Sequence, residues 1–91
     1  MGSQGFKPNP YIVARFFERL RRGKLKRTQL QMATGMKWAD FTRYLARLVD
    51  LDLLGLEEEG GEQFIVPTAK GMELYHSLLK VLGELNGNLE G

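Results

Sequence analysis

Between Lys37 and Leu51 the chain carries two stripes of opposite chemistry at helical spacing, and no other segment constrains the fold so tightly. Trp38, Phe41, Leu45 and Leu48 recur at intervals of three, four and three. Asp40, Arg43 and Arg47 recur at three and four on the other side, with Lys37 at the entrance. An α-helix gathers residues three and four apart onto one face, whereas a strand would mix the two sets. Such a helix must seat its apolar side on a core and leave its polar side open.

The rest of the core has to come from short neighbouring elements, because a chain of ninety-one residues supports one modest core only. Asn9 is placed to cap a first helix, with Pro10 at its first position. Ile12, Val13, Phe16, Phe17 and Leu20 form the apolar face of that helix, Arg15, Glu18, Arg19 and Arg22 the other, and Gly23 closes it. Lys24-Leu25-Lys26 alternates over three residues and suits a short edge strand. Thr28 is placed to cap a second helix, with Gln31 completing a capping box. Its inward residues are expected to be Leu30, Met32 and Ala33, and Thr34-Gly35 ends it.

Beyond the two-faced helix, Leu53 to Leu56 and Gln63 to Val66 are short β-prone runs. Gly60-Gly61 between them supplies the positive φ of a hairpin tip. Pro67 ends the second strand, and Thr68 caps a fourth helix expected to reach about Leu85. The expected fold is therefore mainly α with a small β component. It comprises a three-helix core, a short hairpin and a C-terminal helix in one domain over residues 6–85. The Gly-rich ends, 1–5 and 86–91, are expected to be flexible.

Charge is distributed unevenly along this layout. Residues 1–47 hold eleven of the thirteen Lys and Arg against Glu18 and Asp40, while residues 48–91 hold nine of the eleven acids. A net charge of +2 conceals that asymmetry, which suggests one basic face on a small folded body. Cysteine is absent, so disulfides, thiol nucleophiles and thiolate metal sites are excluded. No apolar run is long enough for a membrane span and nothing near Met1 reads as a signal peptide, so the expected location is cytoplasmic. His76 has no second ligand at a metal-binding offset, and no phosphate loop, carboxylate pair or nucleophile–base set can be assembled. The expectation is a non-enzymatic chain without metal or cofactor.

Residues 34–54, from Thr34-Gly35-Met36-Lys37 through Phe41, Leu45 and Leu48 to Leu54, resemble the recognition segment of winged helix-turn-helix transcription regulators. That family's pattern is Thr-Gly-Leu-Ser, a hydrophobe five residues after the Leu, a Leu-x-x-Leu pair and a closing Gly-Leu. Pro67-Thr68-Ala69-Lys70-Gly71 is similar to its Leu-Thr-x-Lys-Gly after the wing. Arg27-Thr28-Gln29-Leu30 and Tyr44-Leu45 look most like small archaeal predicted regulators of the family, whose long last helix usually forms an antiparallel coiled-coil dimer. The resemblance covers about residues 10–85 and implies a winged helix. Three positions depart from it: Lys37 stands in place of a Ser cap, Asp52 in place of a Gly, and the wing tip carries four Glu and no base.

Together, the helix-turn-helix and the basic half point to double-stranded DNA as partner and to transcription regulation or nucleoid organisation as role. Arg43 and Arg47 are candidates for base edges in the major groove, with Lys37 or Thr42 nearby. Asp40 either reads a base edge or stabilises its own helix N-terminus. Arg21, Arg22, Lys24, Lys26 and Arg27 are candidate phosphate contacts, set against a basic loop with no partner. Trp38 either continues the buried stripe or touches sugar or base. Glu57, Glu58, Glu59 and Glu62 would repel a phosphate backbone, so the wing is expected not to grip DNA. They either stay solvated or dock on a basic protein patch.

The fourth helix has two apolar stripes, Met72, Tyr75, Leu79, Leu82 and Leu74, Leu78, Val81, Leu85. One covers the core; the second, assigned to Leu74, Leu78, Val81 and Leu85, would form a homodimer interface. An alternative reading makes the chain a winged-helix protein–protein interaction module in a larger assembly.

Overall fold

The computed structural model describes residues 7–90, with side chains as far as residue 84. Helix α1 spans Pro10–Leu20 and is capped by Asn9, whose Oδ1 accepts from the Tyr11 N–H at 2.8 Å. The Asn9 N–H itself donates to the Tyr44 hydroxyl at 2.9 Å, tying the start of α1 to the middle of α3. Val13, Phe16, Phe17 and Leu20 are buried, and Leu25 bridges Ile65 with two backbone hydrogen bonds. The expected strand at Lys24–Lys26 is thus reduced to this single bridge.

Helix α2 spans Arg27–Thr34, and its cap lies two residues earlier than expected. Its N-cap is Lys26, not Thr28, because the Gln29 Oε1 reaches back to accept from the Lys26 N–H at 3.0 Å. Leu30 and Thr34, four apart, face inward. Met32 lies between them in sequence, so it points away and is 76% exposed; Ala33 is exposed too, contrary to expectation for both. Gly35, at φ 71°, ends the helix, and the Arg15 guanidinium donates to the Thr34 carbonyl at 3.2 Å.

Helix α3 spans Trp38–Asp50 and buries Phe41, Leu45 and Leu48. Phe41 stacks on Phe16 with centroids 5.6 Å apart, and Tyr44 flanks the same ring. Trp38, in register with the buried row, is 49% exposed. The row leaves the core at the first turn because the core ends at Phe41.

The helix closes in a Schellman arrangement. The Leu53 N–H donates to the Leu48 carbonyl and the Asp52 N–H to that of Val49, both at 2.9 Å. Asp52 takes the left-handed conformation, φ 63°, that a Gly would usually supply.

The wing is a two-stranded antiparallel hairpin, β1 (Leu54–Glu59) and β2 (Glu62–Pro67), paired from Leu54↔Pro67 to Glu59↔Glu62. Gly60 and Gly61 form its two-residue turn with φ 60° and 80°.

Helix α4 spans Ala69–Glu90, past the expected end near Leu85. Thr68 opens it: its Oγ1 accepts from the Gly71 N–H at 2.9 Å and donates to the Asp52 carbonyl at 2.7 Å, while its N–H bonds the Leu53 carbonyl. Gly71 lies so close to the α3–β1 junction that a Cβ there would sit 2.0 Å from the Leu53 oxygen and 2.7 Å from the Phe17 ring. One turn on, Tyr75 is 2% exposed, stacks on Phe17 at 5.9 Å, and donates its hydroxyl to Glu18.

The core-facing row of α4 draws on both expected stripes. Leu74 and Leu78, assigned to a dimer, are half-buried against the domain's own core beside Met72. Leu79 and Val81 are the exposed large apolar residues among the described side chains of the helix. The reason is that Gly71 and Tyr75 both dock on Phe17, which fixes the rotation of α4 about its axis. Leu85 lies outside the residues whose side chains are described.

Two outcomes follow from these contacts. Gly71→Ala should lower stability by about 1–3 kcal/mol in urea unfolding, because the clash outweighs the usual gain of Ala over Gly in a helix. An unchanged midpoint would mean that α4 does not approach this closely. Glu18 is held below its ordinary pKa by the Tyr75 hydroxyl, then by Arg21. A depressed carboxyl stabilises the fold above its unfolded pKa, and that contribution disappears as pH falls through the folded value. Glu18→Gln should therefore flatten the acid side of the melting temperature against pH, and a profile unchanged there would remove Glu18 from the acid response.

Candidate nucleic-acid interface

The amphipathic spacing that buries Phe41, Leu45 and Leu48 necessarily turns Arg43 and Arg47 outward, and both are exposed. Lys37, in extended conformation at the N-cap, is exposed at the entrance. Neither Lys37 nor Arg47 has an ion-pair partner among the described residues. Arg43 has one, the Asp40 carboxylate at 3.7 Å one turn earlier. Both groups are more than half exposed, so water screens the pair and it leaves Arg43 able to exchange partners. Asp40, in the first turn, also lies where the helix dipole favours an anion.

Thr42 is half-buried, and its hydroxyl donates to the Ala39 carbonyl at 2.9 Å. It lines a cleft of about 250 Å³ between α3 and the wing, with Ala46, Val49 and Leu56 among its walls and Arg27 at its rim. The Arg27 guanidinium donates to the Gln63 side chain at 3.1 Å, so the start of α2 is fastened to β2 beside α3. Asp40, Arg43 and Arg47 thus share the outward face of α3, Thr42 and Arg27 border the cleft toward the wing, and Lys37 stands at the helix entrance.

The remaining bases of the loop go elsewhere. Leu25 pairs with Ile65, so strand alternation sends Lys24 and Lys26 to the face shared by Glu57, Glu59, Glu62 and Phe64. The Lys24 ammonium lies 3.4 Å from Glu57, pairs with Glu59, and sits 5.0 Å from the centre of the Phe64 ring. The Lys26 ammonium is 2.9 Å from Glu62. Hydrogen bonds to Glu59 and then Glu57 push the Lys24 pKa up against the opposing effect of desolvation. Leu56 and Gln63 alternate onto the other face, the one turned to α3 and Arg27.

Arg21 pairs with Glu18 at 3.5 Å and borders a hollow with Met72, Tyr75, His76 and Leu79, between α1 and α4. Arg22 is exposed at the end of α1. The five bases expected to act together are therefore divided among three surroundings. Glu57, Glu59 and Glu62 neutralise Lys24 and Lys26, whereas Glu58 alternates onto the other face of the wing opposite Gln63. The signal was present in the sequence: Lys-x-Lys and Glu-x-Glu share the strand period of two, so both present their charges on single faces. Among the described residues no group of His, Asp or Glu is arranged to hold a metal ion, and no helix is long and apolar enough to cross a membrane.

The architecture is shared with solved structures. A DNA-binding protein of Sulfolobus solfataricus, Sso10a-2, superposes with a TM-score of 0.74 at 20% identity, over 92% of this chain and 86% of that one. A MarR-like transcriptional regulator of Thermotoga maritima superposes with a TM-score of 0.64 at 19% identity, over 96% of this chain and 63% of the regulator's length. No curated protein sequence matches the chain. The winged helix-turn-helix family profile matches residues 10–85, from the first residue of α1 into the last helix. With its three helices, hairpin wing and glycine-docked α4, the chain belongs to the winged helix-turn-helix family.

Proposed function

We propose that this winged helix binds double-stranded DNA through α3 and works in transcription regulation as a homodimer. The observation that carries the reading is the outward face of α3. Lys37, Arg43 and Arg47 are exposed on a helix anchored by three buried side chains, and Arg27 borders the cleft between that helix and the wing. In this reading α3 enters the major groove, where an Arg can donate two hydrogen bonds to guanine O6 and N7. Arg27 and Lys37 take phosphates. Lys24 and Lys26 contribute only if they leave their wing carboxylates. The likeness to a DNA-binding protein and to a transcriptional regulator favours this role. A location with the chromosome, in the cytoplasm, goes with it.

Homodimerisation would use the part of α4 that the domain does not cover. Leu79 and Val81 are exposed apolar side chains on that helix, and a second copy is the simplest partner to bury them. Leu74 and Leu78 belong to the domain's own packing in this arrangement.

Two measurements test the proposal. In anisotropy titrations with duplex DNA, Arg43→Ala should weaken the preferred sequence by about 1–3 kcal/mol and narrow its margin over other duplexes. Equal affinity and equal selectivity would remove α3 from the interface. Sedimentation equilibrium at tens of micromolar, a range for which dimers of modest interface are populated, should find a dimer that Val81→Asp dissociates. A monomer throughout would end the dimer reading.

A further inference from the structure

The chain has one tryptophan, and it occupies the first residue of α3. Spacing places it in the row of Phe41, Leu45 and Leu48, each at most 2% exposed, yet half of Trp38 stays in water. Its ring covers Phe41 at a centroid distance of 5.5 Å and a tilt of 33°, and Phe41 is stacked in turn on Phe16. The core therefore uses one side of the indole and leaves the remainder open. Covering Phe41 alone would require a smaller side chain. An indole is costly to hydrate and is enriched where one side of a ring meets a partner.

Its position says which partner. Lys37 precedes it at the helix entrance, and Thr42, one turn on along the same side, borders the cleft against the wing. The open part of the ring thus lies at the first turn of α3, next to Lys37 and on the flank that leads through Thr42 to the wing cleft.

We propose that Trp38 is a DNA-contact residue whose open indole surface packs on the deoxyribose and thymine-methyl edge of the major groove. The inference rests on the DNA-binding reading of α3 given above. Deoxyribose C–H groups and the thymine C5-methyl are the apolar surface that a duplex presents along that groove. The division of labour on α3 is then by chemistry: Arg43 and Arg47 meet polar base edges, Lys37 meets phosphate, and Trp38 meets the apolar strip beside them. An apolar contact releases no counterion, so losing it lowers affinity without changing the salt dependence. Loss of a phosphate contact changes both.

Because the tryptophan is single, its emission reports this site alone. Titrating the unaltered chain with an unlabelled mixed-sequence duplex of about 20 base pairs should shift the emission and reduce acrylamide quenching. Both changes should saturate where the anisotropy of the same duplex, labelled, saturates. Trp38→Phe keeps a ring over Phe41 and should weaken binding about three- to tenfold with an unchanged salt slope. Saturable anisotropy with unchanged emission and quenching would overturn the contact and leave the DNA reading standing. So would a folded Trp38→Phe variant that binds as tightly as the parent. An unaltered chain that gives no anisotropy change at low salt would overturn the DNA reading and the contact together. The emission and quenching arms need no variant, so they decide the matter even if Trp38→Phe folds poorly.

Discussion

Where α4 crosses the junction of α3 and β1 there is room for a hydrogen atom and nothing larger. The Leu53 carbonyl, the Phe17 ring and the helix backbone at Gly71 meet there, and the Thr68 side chain and N–H clasp Asp52 and Leu53 from the same side. Everything that gives the molecule a defined shape passes through this contact. It sets how far α4 rotates, which brings Tyr75 onto Phe17 and Glu18 and leaves Leu79 and Val81 outside. It also fixes α4 against the end of α3, through the Schellman turn at Asp52. The surface proposed to read DNA and the helix proposed to pair subunits are thereby held in one geometry. Neither is joined to the other by a loose linker.

The wing makes a second kind of order, electrostatic and not steric. Its two faces carry different work because a hairpin sends alternate residues to opposite sides. On one face Glu57, Glu59 and Glu62 neutralise Lys24 and Lys26; on the other Leu56 and Gln63 complete the surroundings of Arg27 and the α3 cleft. Exposed ion pairs contribute little stability individually. Their main effect here is to occupy Lys24 and Lys26, while Lys37 and Arg47 on α3 keep no ion-pair partner among the described residues.

Much of this architecture was legible in the sequence, for local reasons. Asn9-Pro10, the left-handed tolerance of Asp52, the Gly60-Gly61 turn and the Thr68 cap each depend on residues within a few positions. So does the stripe of Phe41, Leu45 and Leu48. The misreadings come from choices settled at longer range or between near-equal local options. Thr28 and Lys26 compete for the same helix start, and Gln29 decides by reaching back. Trp38 satisfies the core period, but the core stops one turn short of it. On α4 two apolar stripes were equally good on paper, and the close approach at Gly71 selects a row between them. The separation of Lys24 and Lys26 from Arg27 follows from one β-bridge, Leu25 to Ile65, that joins segments distant in the chain.

The self-neutralised back of the wing has a consequence for motion in solution. With Lys24 and Lys26 held by Glu57, Glu59 and Glu62, that surface shows an approaching polyanion little net positive charge. On the reading proposed above, long-range attraction of a duplex then favours encounters at cations left without a carboxylate, Lys37 and Arg47 on α3 among them. Glu57, Glu59 and Glu62 would thus bias that approach from a face of the wing outside the proposed contact.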